Sequence, residues 1–386
     1  MEKHSLLIGV LPQKSKLGIS ALFLAVMAGE AARWHAGFRR ILTVTRREKT
    51  TRKPIASRSA PGKSTQHARI PMPHYFDNSG RDDIWTGGVK MIPVETSFGT
   101  FRVWTKRTGN HPSKKLLLLH GGPGATHEYF ESADSFFPKE SIEYYYYDQL
   151  GSGNSEPSEH EELWSIEHYV EEVEQVRSAL GLCADNFFLL GHSWGGILAI
   201  EYALKYQQHL KGLIVSNMVP SIPDYIEYAN TVLAPQLDSD VLQEIRSLEE
   251  AGDFDNPKYL ELITGHYYPK HVLRRPTDQW PEPVNRCFGN LNHSIYVHMQ
   301  GPSEFGVAGN ATLRSWDRKA DLKKIQVPTL SIGAQYDTMD PQQMEWMAEQ
   351  LPRGRFLFCP EGSHMSMYDD QQVYFDGIAK FIYDIS

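Results

Sequence analysis

From about His74 onward the chain alternates short apolar runs with amphipathic segments. Val89 to Val94 and Thr100 to Thr105 (TFRVWT), separated by the Ser97-Phe98-Gly99 turn, predict two antiparallel strands. Lys115 to Leu119 (KLLLL) and Tyr144 to Tyr147 are continuous apolar runs, the pattern of strands buried on both faces of a parallel sheet. The first closes on His120-Gly121-Gly122-Pro123-Gly124 and the second on Asp148-Gln149-Leu150-Gly151-Ser152-Gly153. A helix follows: Ser165 caps it, Ile166, Tyr169, Val170, Val173 and Leu180 share one face, and Gly181 stops it. Asn186 to Leu190 supplies the next strand and Trp194 to Gln207 the next helix, with Ile197, Ile200 and Leu204 aligned.

The alternation breaks after a strand at Gly212 to Val215. Residues 220 to 326 are rich in Pro, Tyr, Asn and His, carry a helix at Asp240 to Glu250, and show no clear run of buried strands. It resumes with a strand at Val327 to Ile332, a helix near Pro341 to Gln350, a strand at Arg355 to Cys359 and a last helix from about Asp370. Alternation at this spacing predicts an α/β fold, a mostly parallel central sheet flanked by helices. Its core is formed by 76–219 and 327–386, with 220–326 inserted as a mostly helical lid over the strand ends. There is no internal repeat.

Charge divides the chain further. The protein has 386 residues with 39 Lys+Arg against 47 Asp+Glu, yet residues 1–70 carry a net +11 and residues 71–386 a net −19. So acidic a body repels phosphate backbones, which argues against a nucleic-acid partner. Residues 1–75 form a basic extension in which Leu17 to Gly29 is apolar, too short for the roughly 20 residues of a stable membrane span. It is either a targeting segment, with the length of a signal-peptide core or the Arg-rich composition of a transit peptide, or a leader without function. A cytoplasmic location is the expectation, with export or organelle targeting as the alternative, and no oligomeric state is implied. Three cysteines, Cys183, Cys287 and Cys359, fit neither a disulfide framework nor a zinc site and are expected as reduced core thiols.

The candidate chemistry centres on Gly191-His192-Ser193-Trp194-Gly195, a G-x-S-x-G motif between a buried strand and an amphipathic helix. So tight a reversal lifts the serine hydroxyl out of the core and sets it at a helix N-terminus, where free N–H groups favour developing negative charge. A serine hydroxyl needs a base and an acid behind it. Asp337 follows the strand Val327 to Ile332, and His364 follows the strand Arg355 to Cys359, so both emerge at the carboxyl edge of the sheet in the order Ser, Asp, His. Asp340 is the rival acid. An oxyanion hole from the backbone N–H groups of Trp194 and Gly122 completes the set, with His120 orienting the loop. His160-Glu161-Glu162-Leu163-Trp164 and His127-Glu128-Tyr129-Phe130-Glu131 lack the second histidine of a zinc-protease helix, and no nucleotide or flavin loop is present, so neither metal nor cofactor is expected.

These residues resemble the proline iminopeptidases (prolyl aminopeptidases) and the archaeal tricorn-interacting aminopeptidase, within the α/β-hydrolase fold. The likeness rests on His-Gly-Gly-Pro-Gly (120–124), Tyr-Asp-Gln-Leu-Gly-Ser-Gly (147–153), Gly-His-Ser-Trp-Gly-Gly (191–196), Gly-Pro-Ser-Glu-Phe (301–305) and Trp-Asp (316–317), and covers roughly residues 80 to 386. It implies a serine aminopeptidase that removes an N-terminal residue, preferably proline, from short peptides with a free N-terminus, under a helical lid. It also implies that Glu304 binds the substrate's ammonium group. Where the archaeal type has a second glutamate after the triad aspartate, this chain has Thr338, which leaves three alternatives: one carboxylate suffices, another lid acid substitutes, or the substrate is an amino-acid amide or ester. An apolar pocket for a proline ring is expected from among the lid aromatics Tyr267, Tyr268 and Trp280, and the sequence does not say which of them face inward. Two other readings stand beside this one: a serine esterase, lactonase or amidase on the same scaffold, and a hydrolase-like binding protein with little turnover.

Overall fold

A computed structural model describes residues 74–254 and 256–386. The expected N-terminal extension lies outside the described residues except for His74 and Tyr75, and Tyr75 belongs to the folded body, since its hydroxyl donates to the carbonyl of Ile142. The strands are β1 (Val89–Thr96), β2 (Gly99–Thr108), β3 (Lys115–Leu119), β4 (Glu143–Asp148), β5 (Phe187–His192), β6 (Gly212–Ser216), β7 (Thr329–Ala334) and β8 (Gly354–Cys359). They form one sheet in the order β1-β2-β4-β3-β5-β6-β7-β8. β1 and β2 pair antiparallel, β2 pairs antiparallel with β4, and every later pairing is parallel. β7 starts two residues later than the apolar run, at Thr329, because Pro328 has no N–H to give a neighbouring strand.

Side-chain alternation sends the two faces of each strand into separate apolar clusters. Leu117 and Leu119 of β3 and Tyr145 and Tyr147 of β4 join one cluster, and Leu116, Leu118, Tyr144 and Tyr146 join the other. The first cluster is covered by α1 (Ile166–Ala179) and α2 (Trp194–Tyr206). Ser165 caps α1 by accepting the N–H of His168 at 3.4 Å. The second cluster is closed largely by the C-terminal helix Gln371–Asp384, through Phe375, Ile378 and Ile382. Cys287 and Cys359 are buried as expected, but Cys183 is exposed, because it lies in the turn between α1 and β5.

Where the sequence announces one helix in the insertion, the structure has six among the described residues: α3 (Ile222–Tyr228), α4 (Ser239–Glu250), α5 (Pro257–Leu262), α6 (Tyr268–His271), α7 (Glu282–Gly289) and α8 (His293–Met299). Most are too short to show an apolar period, and several are announced only by caps: Asp238, Asn256 and Asn292 each accept backbone N–H groups at a helix start. The insertion is joined directly to the loop after β8, with the N–H of His364 on the carbonyl of His271 and that of Met365 on Val272, both at 2.9 Å. Two further helices, α9 (Pro341–Gln350) and α10 (Ser366–Asp369), precede the C-terminal helix, which is α11. No helix among the described residues is long and apolar enough to cross a membrane.

Candidate active site

β5 runs into α2 through a single residue, Ser193, whose backbone sits at φ 56°, ψ −126°. A side chain with positive φ is strained, and it persists only where the surroundings over-determine it. Here they do. The Ser193 N–H donates to Ser216 O of β6 at 3.0 Å, and its carbonyl accepts from Gly196 N at 2.6 Å. The flanking glycines allow the close approach: a Cβ at Gly195 would lie 2.2 Å from the carbonyl oxygen of Leu119, and one at Gly191 only 1.9 Å from that of Gly195.

The hydroxyl so presented meets an imidazole. Ser193 Oγ lies 2.9 Å from His364 Nε2, and His364 Nδ1 lies 2.8 Å from Asp337 Oδ1. All three residues are buried. Burial disfavours the imidazolium, but the charge of Asp337 and its hydrogen bond, aided by Glu304, outweigh that, and the His364 pKa ends above the ordinary 6.5. Asp337 is held in turn by Asn217 Nδ2, which donates to Oδ2 at 2.7 Å, and by the N–H of Met339, which donates to Oδ1 at 3.2 Å. Asp340, the rival acid, is elsewhere engaged: it caps α9, accepting the N–H of Gln342 at 2.9 Å.

The loop after β3 brings the second feature. Gly121 N–H donates to Tyr129 Oη at 2.7 Å, whereas the N–H groups of Gly122 and Trp194 have no acceptor among the described residues. A Cβ on Gly121 would lie 2.8 Å from that of Ser193, so the loop can lie against the serine only as glycine. His120, fully buried, orients it: Nε2 accepts the N–H of Gln149 at 3.1 Å, and Nδ1–H faces the Gly121 carbonyl at 3.1 Å. Gln149 closes the set by donating to the His120 carbonyl and accepting from the Trp194 indole at 2.8 Å.

Above these groups lies a cavity of about 510 Å³, lined by Ser193, His364 and Gly122 from the core and by Glu304, Tyr268 and Tyr296 from the insertion, among others. Glu304 is the one carboxylate lining it among the described residues, and it is 8% exposed. Three tyrosines fix it. Tyr296 Oη donates to Glu304 Oε1 at 2.6 Å, Tyr225 Oη donates to its carbonyl at 2.7 Å, and its N–H donates to Tyr268 Oη at 3.3 Å. Of the aromatics expected to form the pocket, only Tyr268 lines it. Tyr267 packs behind, on Phe305, and Trp280 stacks on Tyr268 away from the cavity lining. Apolar walls come instead from residues such as Val272, Phe288 and Leu291. Thr338 does not face the cavity: it is fully buried, with Oγ1 3.3 Å from Asp337 Oδ1 and 3.2 Å from His364 Nδ1.

The sequence pattern did not single out Asn217, Tyr225 or Tyr296, and it named Tyr268 only as a pocket aromatic, not as a partner of Glu304. Asn217 had a local signal, an asparagine directly after a buried strand, where the αL backbone it adopts (φ 52°) is most tolerated. The tyrosines had none, being three among 19.

A family model described as the alpha/beta hydrolase fold matches residues 114–371. Proline iminopeptidases of Flavobacterium johnsoniae and Elizabethkingia meningoseptica are each 52% identical to this chain, over 77% and 76% of its length and 98% of theirs. The proline iminopeptidase of the archaeon Saccharolobus solfataricus is 36% identical over 70% of this chain and 85% of its own. Among solved structures, that of a proline iminopeptidase from Mycobacterium smegmatis is similar with a TM-score of 0.67 and 26% identity, covering 77% of this chain and 98% of that one.

Proposed function

Since this chain belongs to the proline iminopeptidase family of α/β hydrolases, we propose that it releases an N-terminal residue, preferably proline, from short peptides through an acyl-enzyme on Ser193. The observation that carries the reading is the coexistence, in one cavity, of the Ser193–His364–Asp337 chain and a buried carboxylate, Glu304. A buried charge is stable only when paired, and a protonated peptide N-terminus is the partner of the right sign.

In this reading Glu304 takes the substrate's ammonium and so places the first carbonyl carbon over Ser193 Oγ. His364 Nε2 accepts the hydroxyl proton as Oγ attacks, and Asp337 holds Nδ1–H and stabilises the imidazolium that results. The oxyanion forms against the N–H groups of Gly122 and Trp194, at the N-terminus of α2. His364 then passes its proton to the departing amine, and water, activated by the same imidazole, releases the free amino acid. Thr338 faces the triad, so amine recognition rests on one carboxylate in place of two.

Glu304→Gln keeps shape and the Tyr296 contact but removes the charge. The expected result is a loss of about 10- to 100-fold in kcat/KM for proline nitroanilide, the size of a charge-assisted hydrogen bond, with hydrolysis of an uncharged ester unchanged. Equal losses on both substrates would contradict the amine-binding role.

A further inference from the structure

Two buried side chains beside the triad, Tyr129 and His192, have no part in the chemistry above. We infer that they form a positioning relay that ties the oxyanion loop to the loop carrying the general base and sets both against Ser193 as one unit. The inference rests on the proposed roles of Ser193 and His364.

The relay runs through three chain segments. Gly121 N–H donates to Tyr129 Oη at 2.7 Å, Tyr129 Oη lies 3.0 Å from His192 Nδ1, and His192 Nε2 lies 2.7 Å from the carbonyl oxygen of His364. Donor and acceptor roles follow from chemistry. A phenol has one proton, and burial drives the Tyr129 pKa far upward, so the hydroxyl that accepts from Gly121 donates to His192 Nδ1. His192 then carries its proton on Nε2, where it meets a carbonyl that can only accept. Burial, and next the neighbouring His364, push the His192 pKa down to about 3, so the ring stays neutral and places no second cation beside an imidazolium.

The endpoints give the relay its meaning. One is the peptide N–H immediately before Gly122, whose own N–H is left free to face the cavity. The other is the backbone of the base itself. Between them His192 is anchored at the last residue of β5, paired with Ser216 of β6 and adjacent to Ser193. An apolar pair would fill this space without the desolvation of two polar rings, each 2% exposed. A polar pair bonded at both ends ties the two loops to each other through β5.

The test compares Tyr129→Phe, His192→Leu, His192→Gln and the double variant Tyr129→Phe/His192→Leu in the full chain, with thermal unfolding to confirm folding. Gln retains an acceptor and a donor, whereas Leu has neither. The relay predicts that Tyr129→Phe and His192→Leu each lower kcat on proline nitroanilide by roughly 10- to 100-fold, the scale of a misplacement of about 1 Å. KM should change little, Gln should restore most of the loss, and the double variant should be no worse than the worse single one. Additive losses, unchanged kcat in folded single variants, or an effect confined to KM would overturn it. If His192→Leu does not fold, Tyr129→Phe and His192→Gln decide the matter: Phe must lose kcat and Gln must keep it. The same variants are measured on nitrophenyl acetate, since ester hydrolysis uses the same loop and base. Wild-type turnover of the ester alone would sink the peptidase reading and leave the relay test intact.

Discussion

At the residue scale the decisive group is His364. Its imidazole is held by Asp337 against a burial that would neutralise it, and the balance leaves the pKa above 6.5. A base must be neutral to take the serine proton, so kcat/KM is expected to fall as pH drops through a midpoint above 6.5, with one proton bound. Asp337→Asn removes the main cause of the upward shift, leaves burial opposed by Glu304 alone, and should move that midpoint downward while lowering kcat by about 10⁴-fold. A pH–rate profile of both proteins checks it; a midpoint that stays put would assign the limb to another group. These residues were legible in the sequence because each follows a recognisable strand in the order Ser, Asp, His. Glu304 was visible only through its motif. Its tyrosine partners come from α3, α6 and α8, and no local pattern ties Tyr225, Tyr268 and Tyr296 to one carboxylate.

At the element scale, the strand-to-helix reversal from β5 to α2 is possible only because backbone passes backbone at Gly191 and Gly195. Gly195→Ala brings a methyl carbon to 2.2 Å from the Leu119 carbonyl, where neither atom sits on a flexible side chain. Overpacking of this kind costs about 1–3 kcal/mol, sometimes more. The variant should show that loss in urea unfolding, together with a fall in kcat, because β3 carries the oxyanion loop. Wild-type stability with wild-type kcat would contradict the close approach. The elements of the core were readable because strands buried on both faces and long amphipathic helices carry strong periods. The insertion was not: its helices run from four to 12 residues, four have proline at the first or second position, and their apolar sides are defined only by what they cover. That is why the sequence does not separate Tyr268, which lines the cavity, from Tyr267, its immediate neighbour in sequence, and Trp280, beyond the end of α6, which pack behind it.

At the scale of the whole molecule, function depends on convergence. Ser193 follows β5, Asp337 follows β7, His364 follows β8 and Gly122 follows β3, so a parallel sheet delivers four groups from across the chain to one edge. Ser193 and His364 are 171 residues apart in sequence and 2.9 Å apart in space. The insertion then adds the group that the core lacks, a carboxylate facing the same cavity, and closes over it through the bonds from His271 and Val272 to the His364 loop. In the proposed reading core and insertion have separate roles, the core cleaving acyl bonds and the insertion selecting a free amine. The measurement that tests this separation most directly is the release of nitroaniline from proline nitroanilide and from its N-acetyl counterpart, with Ser193→Ala as the blank. The account predicts cleavage of the free-amine substrate alone, abolished in the variant. Equal cleavage of both substrates would contradict it.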